Sequence, residues 1–143
     1  MLKTPPRPRP APHATRGFTL IEIMVVIAIV GILFGIALSS YQSNVLKTRR
    51  YAAQSCLMEY SQYMERHYTT NTSNPMQYTG ASLPSAACAT SLGATYTISL
   101  SLLSSQAYTL QAAALGAQTG DAGCTAMTLQ QNGAKVPATG CWP

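Results

Sequence analysis

The stretch RGFTLIEIMVVIAIVGILFGIAL, residues 16–38, is apolar at every position from Phe18 to Leu38 except Thr19 and Glu22. At about 1.5 Å per residue such a run spans a bilayer as a helix. It is longer than the apolar core of an ordinary signal peptide, although the IALSS that ends it offers a small-x-small cleavage site. A carboxylate inside an apolar helix is costly and marks a functional position, so Glu22 needs a reason.

Working outward, the residues before the run, MLKTPPRPRPAPHATRG, are basic and proline-rich and are unfit for a core. They hold Lys3, Arg7, Arg9 and Arg16, four of the nine cations of a chain with net charge +5. Without them, five cations face Glu22, Glu59, Glu65 and Asp121, leaving +1. The basic character therefore belongs to the leader, which argues against a broad nucleic-acid surface. Charged residues make up only 9% of the 143 residues, which fits a chain partly buried in lipid or in an assembly.

After the run the apolar pattern changes but stays helical. Ala53, Leu57, Tyr60, Met64 and then His67 or Tyr68 recur every three or four residues, and no proline or glycine interrupts residues 36–70. One helix from about Phe18 to Thr70 is expected, roughly 80 Å long. Residues 69–88 carry turn chemistry and read as loop. TYTISLSL (95–102) and AYTLQAA (107–113) then alternate as half-buried strands, TAMTLQ (125–130) reads as a third, and AKV beyond the QNG turn as a short fourth. The fold class is α+β, an amphipathic helix packed on a small antiparallel sheet of about four strands.

Cys56, Cys88, Cys124 and Cys141 all follow the apolar run, without the spacing of a zinc site. Four cysteines allow three connectivities. Pairing Cys56 with Cys88 and Cys124 with Cys141 closes the shortest loops, each contributing roughly 3 kcal/mol in the chain-entropy account.

The junction Arg16, Gly17, Phe18, Thr19, Leu20, Ile21, Glu22, followed by a long apolar helix, resembles the leader junction of type IV pilins and type II secretion pseudopilins. The resemblance implies the pilin fold and three segments: a leader, 1–17, removed by a prepilin peptidase; an assembly helix, 18–45; and a head, 46–143. It implies cleavage between Gly17 and Phe18, N-methylation of Phe18, and a role in assembly for Glu22. Cleavage frees an ammonium one helical turn from that carboxylate, and in a fibre the ammonium of one subunit pairs with Glu22 of another. Two charges about 4 Å apart at an effective dielectric near 20 attract by about 4 kcal/mol before desolvation.

LKTRRYAAQSCLMEYSQYMERHYTTN further resembles minor pilins of the PilE type, which show similar TRR-x-x-AQ and YMER-x-Y runs, and the C-terminal run from Tyr108 looks like that group's sheet and closing cysteine loop. The implied function is a structural minor pilin, anchored in the bacterial inner membrane with its head in the periplasm and then assembled into an extracellular pilus or its priming tip. Its partners are other major and minor pilins, the peptidase and the inner-membrane assembly platform. The alternatives are a DNA-binding minor pilin for uptake, a major pilin, or a pseudopilin. For DNA the candidates are Lys47, Arg49 and Arg50, three cations on one helical turn that meet phosphates or lipid headgroups.

Other features carry less. Gly31, Gly35 and Ser39 make a small-residue ridge suited to close helix contact, and Ser39 stands where the family commonly has a kinking proline. Asp121 in TGDAGC reads as a turn residue, too lone an acid for calcium. Trp142 reads as packing on the domain or as an exposed anchor. Asn71-Thr72-Ser73 forms a weak glycosylation triplet. Glu59 and Glu65 fall on different helix faces, so no catalytic pair arises, and no cofactor or metal is expected.

Overall fold

The computed structural model describes residues 17–142, so all but the last residue of the expected leader, 1–17, lies outside the description. Helix α1 runs Leu20–Thr70, 51 residues without a break. Thr19 starts it: its hydroxyl accepts the Glu22 N–H at 3.3 Å and its carbonyl accepts those of Glu22 and Ile23. A Thr with Glu three residues on is the sequence signature of a helix start. Asn71 stops it: its side-chain oxygen takes the N–H groups of Ser73 and Asn74, which diverts the backbone ahead of Pro75.

The chain divides into two compact units at Leu38/Ser39. Along the first, large apolar side chains from Phe18 to Leu38 stand open, with Ile32 68% and Phe34 66% exposed. This helix is long and apolar enough to cross a membrane. The positions from Gly31 to Ser39 are helical, with serine in place of the proline that the family commonly has at 39.

In the second unit α1 buries one face. Ala53, Leu57, Tyr60 and Met64 are buried, the i, i+3, i+4 stripe that the sequence shows, and Arg50, Gln54 and Cys56 are buried with them, which the apolar periodicity does not show. An antiparallel sheet covers that stripe, ordered β1 (Tyr96–Leu103), β2 (Tyr108–Ala114), β3 (Ala126–Gln130) and β4 (Lys135–Val136). Register places Leu100 opposite Leu110, Leu110 opposite Leu129, and Ala112 opposite Met127. Period-two alternation sends Tyr96, Tyr108, Leu110, Ala112, Met127 and Leu129 into the core. The other face carries Thr97, Ser99, Gln111 and Thr128.

A short helix α2, Ala87–Leu92, lies partly within the segment expected to be loop. The Cys56–Cys88 disulfide ties it to α1, and Leu92 inserts into the core. Tertiary anchoring outweighs a local composition that reads as turn.

Leu57 is fully buried, and its helix neighbour Met58 is 38% exposed. Leu57→Ala is expected to lower head stability by about 3 kcal/mol and Met58→Ala by under about 0.5 kcal/mol. Denaturant midpoints of the two variants at equal slope check this.

Candidate functional site

Gly17, Phe18 and Thr19 precede the helix in exposed, non-helical backbone, and Phe18 is 78% exposed. Among the described residues, its chain neighbours aside, nothing lies within 4 Å of where a Cβ on Gly17 would stand. Glu22 is exposed in the first turn of α1 and has no ion pair among the described residues. Carboxylates are favoured at that position by the N-terminal dipole. Thr19, three residues upstream, was the sequence signal for this local role, and a reading centred on Glu22 alone misses it.

Farther along α1, Arg50 and Gln54 reach both ends of the C-terminal disulfide Cys124–Cys141. Arg50 Nη1 lies 3.4 Å from Asp121 Oδ1 and 2.8 Å from Cys124 Sγ. Gln54 Nε2 donates to the Cys141 carbonyl and to the Met127 sulfur. Behind them Gln118, fully buried in a 3-10 turn over Gly116–Gly120, donates to the Leu46 carbonyl at 3.0 Å, the Tyr96 hydroxyl at 3.1 Å and Asp121 Oδ2 at 3.3 Å.

The expectation that Arg50 joins Lys47 and Arg49 against phosphates or headgroups is thereby corrected. Arg50 is 8% exposed and already has a counter-ion, so no phosphate reaches it without breaking a buried pair. Asp121, read as a turn residue, is that counter-ion, 71 positions downstream.

Lys47 and Arg49 are exposed. Arg49 lines two open grooves of about 310 and 320 Å³ that share Tyr41 and Val45. Arg66 is exposed near the end of α1. Lys135 Nζ stands 5.1 Å from the centre of the Trp142 ring, whose Nε1 donates to the Val136 carbonyl. Trp142 is half-buried against the core, the packing alternative of the sequence reading. Among the described residues no cluster of His, Cys, Asp and Glu is arranged to hold a metal.

An apolar helix continuing into a stripe covered by a four-stranded antiparallel sheet is the architecture of type IV pilins. A solved type IV pilin from Shewanella oneidensis shares it, with a TM-score of 0.54 and 26% identity over 68% of this chain and 98% of that one. The family described as type IV minor pilin ComP, DNA uptake sequence receptor, matches residues 39–128, and the prokaryotic N-terminal methylation motif matches residues 12–38. The chain belongs to the ComP family of type IV minor pilins. The comparison thus gives ComP as the subgroup where the quoted runs suggested PilE.

Fimbrial protein Q of Moraxella bovis is 57% identical over 37 residues, 26% of this chain and 24% of that protein. A type IV major alpha-pilin of the same organism matches equally over 37 residues, and fimbrial protein EcpB of Eikenella corrodens is 59% identical over 37. The match spans about a quarter of the length of these curated relatives.

The Glu65 cluster gives the head an alkaline limit. Tyr78 donates to both Glu65 oxygens at 3.0 and 3.1 Å, and Tyr108 to one of them at 3.1 Å. Burial first, then the bond to Glu65, pushes the Tyr78 phenol from 10.0 up to about 12 and raises Tyr108 as well. Tyr96 rises too, chiefly by burial. A phenol whose folded pKa is raised contributes its full stability below the unfolded value and loses it as pH climbs to the folded one. The melting temperature, measured with both disulfides intact, is expected to show no loss from these phenols below about pH 10 and to fall from there to about pH 12. Glu65→Gln is expected to shrink that fall.

Proposed function

We propose that this minor pilin captures DNA for a type IV pilus. The match of residues 39–128 to a family described as a DNA uptake sequence receptor carries the reading. Charge placement supports it. With Arg50 and Asp121 neutralising each other, Lys47, Arg49, Arg66 and Lys135 remain in the head against Glu59 and Glu65. Residues 67–120 hold no Asp, Glu, Lys or Arg, so the first two strands and the loops around them present no carboxylate to repel phosphate. Their Ser, Thr, Asn and Gln side chains suit hydrogen bonding to bases and sugars. Lys135 stacked on Trp142 is the cation we assign to a phosphate.

Delivery follows the pilin route. The chain enters the inner membrane with its head outside the cytoplasm, a prepilin peptidase cuts between Gly17 and Phe18, and Phe18 is N-methylated. The assembly platform then adds the subunit to a bundle of pilin helices, where the Phe18 ammonium of one subunit meets Glu22 of its neighbour. The disulfides Cys56–Cys88 and Cys124–Cys141 brace the head against handling outside the cell. Without DNA binding the protein is a purely structural minor pilin.

Full-length protein in detergent is expected to shift duplex DNA with log affinity falling linearly in log salt, at a slope between about −2 and −4. Lys135→Ala is expected to weaken binding about three- to tenfold and to flatten the slope by about one. No shift at 50 mM salt, with intact disulfides, leaves only the structural reading. The route has its own check: mass spectrometry of pilus-extracted protein is expected to begin at methylated Phe18, and Glu22→Gln to be processed normally but lost from sheared pili.

A further inference from the structure

The two disulfides sit in different electrostatic surroundings. Cys124 Sγ has the Arg50 guanidinium against it, within a buried pocket. Cys141 Sγ, on a residue equally buried at 3% exposed, lies 3.3 Å from the Gly123 carbonyl oxygen, so the two sulfurs differ in their polar neighbours and not in access. A guanidinium stabilises a thiolate and a carbonyl oxygen destabilises one. No hydrogen bond reaches either sulfur of the Cys56–Cys88 pair among the described residues. The one group that opposes Arg50 is Asp121, on the same guanidinium nitrogen at 3.4 Å.

We infer that Cys124–Cys141 is a thiol-exchange site with a fixed direction: Cys141 is the sulfur attacked and modified, and Cys124 is the leaving thiolate. As the loop carrying Cys141 opens, an incoming thiolate, RS⁻, bonds to Cys141 Sγ and the Cys124–Cys141 bond breaks. The electron pair goes to Cys124 Sγ, held by Arg50. The product is a mixed disulfide on Cys141 and a thiolate on Cys124. A second thiol then completes a two-electron reduction, releasing RSSR and the Cys141 thiol, or Cys124 attacks back and restores the oxidised protein.

Little else holds the segment that exchange would free. Strand β4 pairs at only two positions, Thr128 with Val136 and Leu129 with Lys135. The Gln54 amide on the Cys141 carbonyl and the half-buried Trp142 provide the rest. Cys56–Cys88, α1 and the first three strands keep their own contacts. Exchange therefore loosens Lys135 and Trp142 while the core stays folded. The consequence for DNA rests on the function proposed above; the polarity of exchange does not.

Full-length oxidised protein in detergent, treated with reduced glutathione, alkylated and mapped by mass spectrometry, is expected to carry glutathione on Cys141 and the alkyl group on Cys124. An adduct on Cys124 overturns the assignment. Arg50→Gln removes the cation and is expected to slow exchange about tenfold, from the dependence of rate on leaving-group acidity. Asp121→Asn removes the opposing carboxylate and is expected to speed it a few-fold, and Arg50→Lys to retain most of the rate.

Both Arg50→Gln and Asp121→Asn break the same ion pair, so a loop that merely loosens would speed in both. Shifts in one direction overturn the electrostatic account. Weaker DNA binding by the Cys141 adduct than by the oxidised protein supports control of the DNA site, and equal binding overturns it. Oxidised protein that binds no DNA sinks the function proposed above and leaves the exchange polarity to stand or fall on the mapping.

Discussion

The head depends on the burial of a single face of α1 by a single sheet. Ala53, Leu57 and Met64 have no exposed surface, and Leu110, Ala112 and Met127 have none on the sheet side. Leu92 of α2 and Tyr78 and Ala81 of the loop before it complete the core. Burying a large aliphatic side chain is worth about 1.5–3 kcal/mol, and the entropy of ordering the chain offsets most of such a sum. What makes the docking specific is polar closure at both ends of the stripe. Arg50 and Gln54 hold the C-terminal loop at one end, and Glu65 takes the phenols of Tyr78 and Tyr108 at the other. Breaking the buried Arg50–Asp121 pair by removing one partner costs about 3–5 kcal/mol, more than one core contact returns. A slip of the sheet along α1 would break both closures at once.

That division explains what was legible in the sequence. Periodicity is local, so α1 was readable nearly to its last residue, and the three longer strands to within a residue or two. The buried stripe was readable for the same reason. Arg50 was not, because a cation beside Lys47 and Arg49 looks like its neighbours until Asp121 arrives from 71 positions away. Helix α2 was hidden by size: six residues among prolines and glycines carry no period, and a disulfide and Leu92 hold it. Glu22 presents the opposite case. Its capping signature, Thr19 with an acid three residues on, was in plain view.

The similarities divide where the structure divides. The methylation motif ends at residue 38 and the ComP family begins at residue 39, the boundary between the two compact units. From Phe18 to Leu38 the first unit is apolar at all but two positions, as a helix lying among apolar helices or lipid tails must be. The second unit has an uneven charge pattern. It spends one of its five cations on an internal pair and leaves the strands β1 and β2 without any charge. A surface so neutral carries no field of its own, so a few exposed cations at its margins would set the orientation of a polyanion.

Glu22 meets the same economy of charge inside the apolar unit. A lone carboxylate in a membrane helix would be expensive at mid-bilayer, but this one lies in the first turn, beside free N–H groups and with its own N–H on Thr19. The helix dipole and cap together favour an anion there by about 0.3–1 kcal/mol before any partner arrives. The carboxylate is thus tolerated in the unassembled subunit without a counter-ion. An ammonium supplied by a neighbour would then add attraction to a group already paid for locally, rather than rescue one that is not. On that account the proposed Phe18–Glu22 pairing can favour assembly without making the free subunit too unstable to reach it.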